Sequence, residues 1–193
     1  MKRIYFDKIV TAVGFGLAVF LVIAAGLLNW GATFAADAVG SQLEAQAITL
    51  PAETGNKKEP ADVTSFFKEN GERIMTTGKQ AQMYADHYLG FHLSAMPAYA
   101  AASGANRAAA AALAANPNDP TLKADAAAKA GIVETVFKGT MLRGTLLTAY
   151  AFGTLGSIAA IAALVSLAGA GVMLLLSILG LLHIRRTPKD VTI

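Results

Sequence analysis

Two long segments without a charged side chain constrain this chain more than any other feature. Residues 9–36 and residues 144–184 contain no Asp, Glu, Lys or Arg, whereas residues 37–143 hold 21 of the 29 such residues. A bilayer core about 30 Å thick is crossed by about 20 apolar helical residues. This division excludes a single water-soluble globule and a many-span transporter. It predicts two membrane spans with one medium-sized domain between them.

The first segment, 9–36, is predicted to be an uncleaved transmembrane helix with its outer extension. Trp30 lies near the far end, where an indole ring favours the headgroup level. The alternative is a cleavable signal peptide, because Ala36, Asp37 and Ala38 fit the small-residue cleavage pattern. Signal peptides have apolar regions of about 7–15 residues. The run in this chain is longer, which favours an anchor.

The second segment, 144–184, is too long to be wholly embedded. Its 41 residues would extend about 60 Å as a helix, twice the thickness of the bilayer core. The most hydrophobic stretch, Ile158–Leu182, is predicted to be the second span. The preceding stretch carries Tyr150 and Phe152 and is typical of the membrane interface.

The charges of the two tails, 1–8 and 185–193, predict the orientation. The tails contain six basic residues and two acidic ones, and the basic residues are Lys2, Arg3, Lys8, Arg185, Arg186 and Lys189. The positive-inside rule then places both termini in the cytoplasm, in a two-pass protein of the cell membrane. The net charge of +3 accordingly reports orientation in the bilayer and does not indicate a nucleic-acid partner.

The middle segment, 37–143, is predicted to be a helical, loop-rich extracytoplasmic domain, so that the fold class is mainly α. Thr77 and Gln80 form a capping-box pattern, and Asp119 followed by Pro120 is a second helix start. Residues 98–130 are rich in alanine, which favours helix but removes little apolar area from water when buried. The domain is therefore expected to have a thin core.

Small residues at four-residue spacing in both spans are candidates for close helix packing. Such spacing lets helix backbones approach one another in lipid, although an alanine-rich helix also produces it by chance. The pattern does not distinguish self-pairing from docking on another protein. The helix-packing candidates are Ala12, Gly16, Gly156, Ala160 and Ala163.

No catalytic, cofactor-binding or metal-binding residue is predicted. The chain has no cysteine, which removes thiolate nucleophiles and cysteine-ligated metals, and neither span carries an ionisable anchor. The best metal candidate is the group Met83, Asp86, His87 and His92. Its histidines are five residues apart, whereas a pair on one face of an α-helix needs a spacing of four. A polar and aromatic face of a packed helix is the preferred interpretation.

Four stretches resemble a family of small two-span actinobacterial membrane proteins. They are FDKIVTAVGFGLAVFLVIAAGLLNWG, QLEAQAITLP, TTGKQAQMYADHYLGFHL and VFKGTMLRGTLLTAYAFGTLG, and the similarity extends over most of the chain except the alanine-rich residues 98–130. Similar proteins occur as accessory subunits of the respiratory supercomplex that joins a cytochrome bcc complex to an aa3 oxidase. The resemblance implies no catalytic or ligand-binding residues.

Two functions of different classes follow from these observations. The first is a non-catalytic accessory or structural subunit of such a respiratory complex, whose spans pack against larger integral membrane subunits and whose domain covers their outer face. The second is a free-standing envelope sensor or transport-accessory protein whose external domain binds a lipid or a small ligand. Both place the chain in a lipid bilayer, with no cofactor of its own.

Overall fold

A computed structural model describes residues 3–186 and residue 188, and these form helices without a strand. Thr49 and Ile74 make an isolated antiparallel bridge. The prediction of a mainly α fold is confirmed for this part of the chain. In order, the elements are α1 (Arg3–Gln46), α2 (Ala61–Asn70), α3 (Gly78–Met83), a π-helical segment (Tyr84–Leu89), α4 (Gly90–Ser94), α5 (Tyr99–Ala115) and α6 (Pro120–Arg186).

The chain divides into two compact units, and α1 and α6 each contribute to both. Unit 1 contains α1 up to Asp37 and α6 from Thr154 onwards, and unit 2 is Ala38–Gly153. Neither long helix is interrupted at the segment boundaries predicted from charge, near residues 36 and 144. The absence of charged residues marks which part of a helix is apolar. It does not mark where the helix ends.

Unit 1 is an antiparallel helix pair with small residues between the helices. Buried positions recur at intervals of three, four or seven residues, the repeat by which two helices keep one seam in contact. Small side chains on that seam bring the backbones close together. On α1 the buried positions of unit 1 are Thr11, Gly14, Ala18, Ala25 and Ala32; on α6 they are Gly156, Ala163, Ala170 and Ser177.

The large apolar side chains of unit 1 point away from this seam. Phe20, Leu27, Ile161 and Leu164 are each more than half exposed. Both long helices are long and apolar enough to cross a membrane, and only about a fifth or less of their most apolar windows is buried. A helix in the core of a soluble protein would be mostly buried. The exposed apolar faces of this pair are compatible with two membrane spans.

Unit 2 has a small hydrophobic core to which α1, α2, α3, the π-helical segment, α6 and two of the connecting loops contribute. The end of α1 supplies Val39 and Leu43. The connecting loops, α2, α3, the π-helical segment and α6 supply the rest. The buried side chains outside α1 include Leu50, Val63, Phe67, Met75, Met83 and Leu146.

Both helix starts predicted from short motifs are confirmed. The Thr77 side chain accepts a hydrogen bond from the Gln80 amide at 3.2 Å, and the Gln80 side chain accepts one from the Thr77 amide at 3.1 Å. Asp119 accepts from the amides of Thr121 and Leu122 at 2.7 and 3.2 Å, and α6 begins at Pro120. Each such cap stabilises a helix end by about 1 kcal/mol.

The alanine-rich segment forms α5 and the beginning of α6. On α5, Ala102 and Ala109 are buried seven residues apart. At its start, the ring of Tyr99 lies 5.9 Å from that of Phe137 on α6. Alanine side chains make the covered face thin, and much of both helices stays exposed. The prediction of a weakly packed helical region is consistent with this arrangement.

Candidate functional site

The four residues that were the best metal candidate in the sequence, although no metal site is predicted there, have four different surroundings. Met83 is buried in the core of unit 2, and Asp86 accepts a hydrogen bond from Arg143 at 2.7 Å. His87 Nδ1 lies 2.9 Å from a Glu59 carboxylate oxygen. His92 Nδ1 lies 2.7 Å from the carbonyl oxygen of Tyr88. Within residues 3–186 and 188 no group of three or more potential metal ligands comes together.

The helix that carries these residues departs from the α-helical geometry assumed in the spacing argument. Over Tyr84–Leu89 it is a π-helix, and the Gly90 amide bonds to the Ala85 carbonyl five residues earlier. This hydrogen-bond pattern brings residues five apart towards the same side of a helix. The stretch from His87 to His92 is thus π-helical as far as Leu89 and α-helical from Gly90, so the regular α-helical geometry assumed for this spacing does not hold throughout it. The His87 ring contacts the Glu59 carboxylate, whereas the His92 ring contacts the Tyr88 carbonyl oxygen.

Arg143 of α6 holds the π-helical segment from outside. Its Nε donates to the Ala85 carbonyl at 3.0 Å, and its Nη2 donates to the Asp86 carboxylate at 2.7 Å. A π-bulge disturbs the regular ladder of backbone hydrogen bonds. The planar guanidinium supplies two donors in a fixed geometry, one to the backbone and one to a side chain. No local sequence pattern indicates a role for Arg143, because its partners are 57 and 58 residues away along the chain.

A tightly folded loop, residues 54–59, is fastened to the same helix. The buried Thr54 hydroxyl accepts a hydrogen bond from the Asn56 amide at 3.2 Å, and the Asn56 side chain accepts one from the Lys58 amide at 3.0 Å. Gly55 adopts a φ of 81°, which favours glycine. These local bonds give the loop one conformation, with Lys57 and Lys58 exposed on it.

Glu59 links this loop to the π-helical segment. One carboxylate oxygen accepts a hydrogen bond from the side-chain amide of Asn56 at 3.2 Å, and the other lies 2.9 Å from His87 Nδ1. The Glu59 side chain is only 8% exposed. A buried carboxylate is costly unless it is hydrogen-bonded, and here each oxygen has a partner. The pair therefore acts as a tie between loop and helix.

An aromatic ladder runs along the same helix. Tyr84 stacks on Tyr88 at 4.9 Å between ring centroids, and Tyr88 lies 4.4 Å from His92. Burial, with a smaller contribution from Tyr88, raises the pKa of the Tyr84 phenol above 10.0. Tyr84 is therefore neutral at physiological pH and remains a hydrogen-bond donor. These contacts form an aromatic face on this helix.

The helix-packing candidates in unit 1 lie on two different surfaces. Gly156 and Ala163 are buried on the seam between α1 and α6, and a Cβ on Gly156 would lie 3.0 Å from that of Ala35. Ala160 is half-buried beside this seam. Ala12 and Gly16 are exposed on α1, and a Cβ on Gly16 would meet no atom within 4 Å. The candidates on α6 therefore pack at or beside the contact with α1 of the same chain, whereas Ala12 and Gly16 on α1 face away from α6.

Two reciprocal contacts on this seam were missed by the sequence analysis. Gly14 lies against the Ser177 hydroxyl so closely that an added Cβ would overlap it. In the same way, a Cβ on Gly180 would lie 2.5 Å from Thr11 Oγ1. Each hydroxyl thus occupies the space that a glycine leaves on the facing helix. The heptad spacing of Thr11, Gly14 and Ala18 was the available signal.

Comparison of the chain with protein-family models, with curated proteins and with solved structures finds no match in any of the three. Function must therefore be inferred from the chain's own residues.

Proposed function

We propose that this chain is a two-span membrane protein that serves as a non-catalytic accessory subunit of a larger membrane complex. One observation carries the proposal: the helix pair of unit 1 buries small residues and leaves its large apolar side chains outside. Lipid tails and the apolar helices of other subunits are the two surroundings that suit such a surface.

The aromatic residues of α1 fit membrane insertion. Tyr5 and Phe6 lie exposed near one end, and Trp30 and Phe34 lie exposed and stacked near the other. The 26 residues from Tyr5 to Trp30 span about 37 Å of helix, the separation expected for the two interfacial belts of a bilayer. The basic tails favour cytoplasmic termini and an external unit 2.

The side chains of unit 2 support a structural role more than a chemical one. The titratable groups best placed for chemistry are each engaged in holding the fold: Glu59 with His87, and Asp86 with Arg143. The resemblance to accessory subunits of the cytochrome bcc–aa3 supercomplex gives the proposal a definite partner, namely the larger integral subunits of that assembly.

Purification in mild detergent through an affinity tag on the C-terminus tests this proposal. We expect a stoichiometric assembly that contains haem, detected by its reduced-minus-oxidised absorbance spectrum. The outward-facing Gly16 offers a matched pair of variants with Gly171 on α6, because both glycines have open space around them. If partner helices pack on the α1 face, Gly16→Leu lowers the yield of the assembly while Gly171→Leu does not.

Recovery of the chain alone, as a monomer or a single-component oligomer, would contradict the accessory-subunit proposal and favour a free-standing envelope protein. Recovery of the haem assembly with both glycine variants would support membership of the complex. It would also show that the surface around Ala12 and Gly16 does not contact the other subunits.

A further inference from the structure

Unpaired cations gather at one end of the helix pair of unit 1. The Asp7 carboxylate lies 3.8 Å from Arg3 Nε and 3.9 Å from His183 Nε2, so its charge is engaged by these neighbours. Lys8, Arg185 and Arg186 are exposed, and their side chains make no ion pair or hydrogen bond with any other residue that the structure describes.

The antiparallel register brings these three cations to one level. Thr11 on α1 faces Gly180 on α6, so Lys8 lies beside the last turn of α6, which carries Arg185 and Arg186. Along the helix axes the three residues fall within about one turn, about 5 Å. The only carboxylate on the described part of this end, Asp7, is already paired. A concentrated positive charge therefore remains.

At the level of these cations the surface also carries aromatic side chains, and it becomes aliphatic towards the middle of the helices. Tyr5 and Phe6 are 57% and 50% exposed, and Ile9 and Leu182, further along the two helices, are also exposed. A phospholipid presents a matching succession, with a phosphodiester and an interfacial glycerol region above acyl chains. A free phosphate ion would use only the cations, and an acidic protein segment would leave the aliphatic surface uncovered.

We propose that Lys8, Arg185 and Arg186 form a binding site for the headgroup of an anionic phospholipid whose acyl chains lie along Ile9 and Leu182. This inference rests on the proposed membrane insertion of unit 1. The headgroup phosphate supplies the negative charge that the neighbouring residues lack, in an interfacial setting where screening by water is reduced.

Fluorescence quenching by brominated lipids tests the site. Trp30 is the only tryptophan, so a Tyr5→Trp, Trp30→Phe double variant carries a single indole at the basic end. The variant is reconstituted into bilayers that contain either brominated phosphatidylglycerol or brominated phosphatidylcholine. We expect phosphatidylglycerol to be preferred at this indole by about fivefold or more, since each cation near an anionic surface contributes a factor of about that size.

Charge-neutral variants in the same single-tryptophan background supply the controls. Lys8→Gln, Arg185→Gln and Arg186→Gln together should bring the preference close to one. The matched control, Lys57→Gln, Lys58→Gln and Lys123→Gln, removes the same charge from exposed positions of unit 2 and should leave the preference unchanged. Quenching of Trp30 in the wild-type chain gives the reference value for the other end of α1.

Equal quenching by the two lipids, or a preference that survives the first triple variant, would overturn the inference. Loss of the preference with inorganic phosphate, but not with chloride at the same ionic strength, would identify a free-anion site and overturn the lipid assignment. Alkaline washing of the vesicles distinguishes membrane insertion from lipid binding, because it removes proteins that are only adsorbed to the surface. A chain that washes off contradicts membrane insertion itself, whereas a retained chain without lipid preference contradicts only this inference.

Discussion

At the scale of single residues, the seam of unit 1 depends on the absence of side chains. The Ser177 hydroxyl lies against Gly14, and the Thr11 hydroxyl lies against Gly180. Each hydroxyl fills space that a Cβ on the glycine would occupy. Ser177 Oγ is buried without a hydrogen-bond partner among the described residues. Close approach of the helices at this level is therefore sensitive to one methyl group.

Replacing Gly14 by alanine should destabilise the helix pair, because the added methyl group overlaps the Ser177 hydroxyl. Overpacking of this kind costs about 1–3 kcal/mol. Thermal unfolding in detergent, followed by circular dichroism, would show a lower midpoint for Gly14→Ala. Gly16→Ala is the matched control, since the space around Gly16 is open, and its midpoint should lie at or above that of the wild type because alanine favours helix over glycine.

The cause can be isolated by removing the hydroxyl. In a Gly14→Ala, Ser177→Ala double variant the overlap is gone, and the nearest remaining contact, with the Cβ of residue 177, is an ordinary 3.6 Å. We expect the double variant to recover most of the lost stability, with a coupling energy of about 1 kcal/mol or more. Equal destabilisation of the single and double variants would contradict the proposed overlap.

At the scale of elements, unit 2 depends on ties between segments that are distant in sequence. The π-helical segment is held by Arg143, and the loop 54–59 is held by the Glu59–His87 pair. A helix of ordinary geometry would form a regular ladder without external donors. The irregular segment persists because α6 presents a guanidinium to the Ala85 carbonyl and to Asp86.

Arg143→Ala should therefore loosen the π-helical segment. Arg143 and Asp86 have side chains 41% and 34% exposed, so solvent screening reduces the loss to about 1 kcal/mol. Hydrogen exchange followed by mass spectrometry should show faster exchange in peptides that cover residues 84–94. Arg107→Ala is the control, because among the residues that the structure describes the Arg107 side chain bonds only to Ser103, one turn earlier in α5. Unchanged exchange in Arg143→Ala would show that the segment keeps its geometry without the guanidinium.

The same distinction between near and distant partners decides what the sequence could predict. The caps at Thr77 and Asp119 were predictable because each cap and its partner lie within three residues. Glu59 and His87 are 28 residues apart, and the partners of Arg143 are further away. No local pattern reports such pairs. The π-helical geometry was missed for the same reason, since its stabilising donor comes from another helix.

The helix pair was predictable in outline but not in its detail. Apolar length and the absence of charge indicated two long apolar helices, and the structure contains them. The search for pairs four residues apart selected Ala12 and Gly16, which face outwards. The seam follows a seven-residue repeat, so Ala18, Ala25 and Ala32 carry it. Choosing the right repeat required knowing that the two helices pair with each other along their length.

At the scale of the whole molecule, the orientation in the membrane is the prediction with the most direct test. The chain contains no cysteine, so a single introduced cysteine is the only thiol that a maleimide can label. Asn118 lies exposed between α5 and α6, and Pro188 lies exposed beyond the end of α6. In intact cells, a membrane-impermeant maleimide should label Asn118→Cys and should label Pro188→Cys only after the membrane is opened.

This outcome follows from the arrangement of charge rather than from its total. The basic residues of the two tails are attracted to the cytoplasmic side, and two spans require both tails to lie on the same side. Labelling of Pro188→Cys in intact cells, with protection of Asn118→Cys, would reverse the orientation and place unit 2 in the cytoplasm. Labelling of both positions without opening the membrane would contradict the two-span arrangement, because residues 118 and 188 are separated by the single apolar stretch of α6.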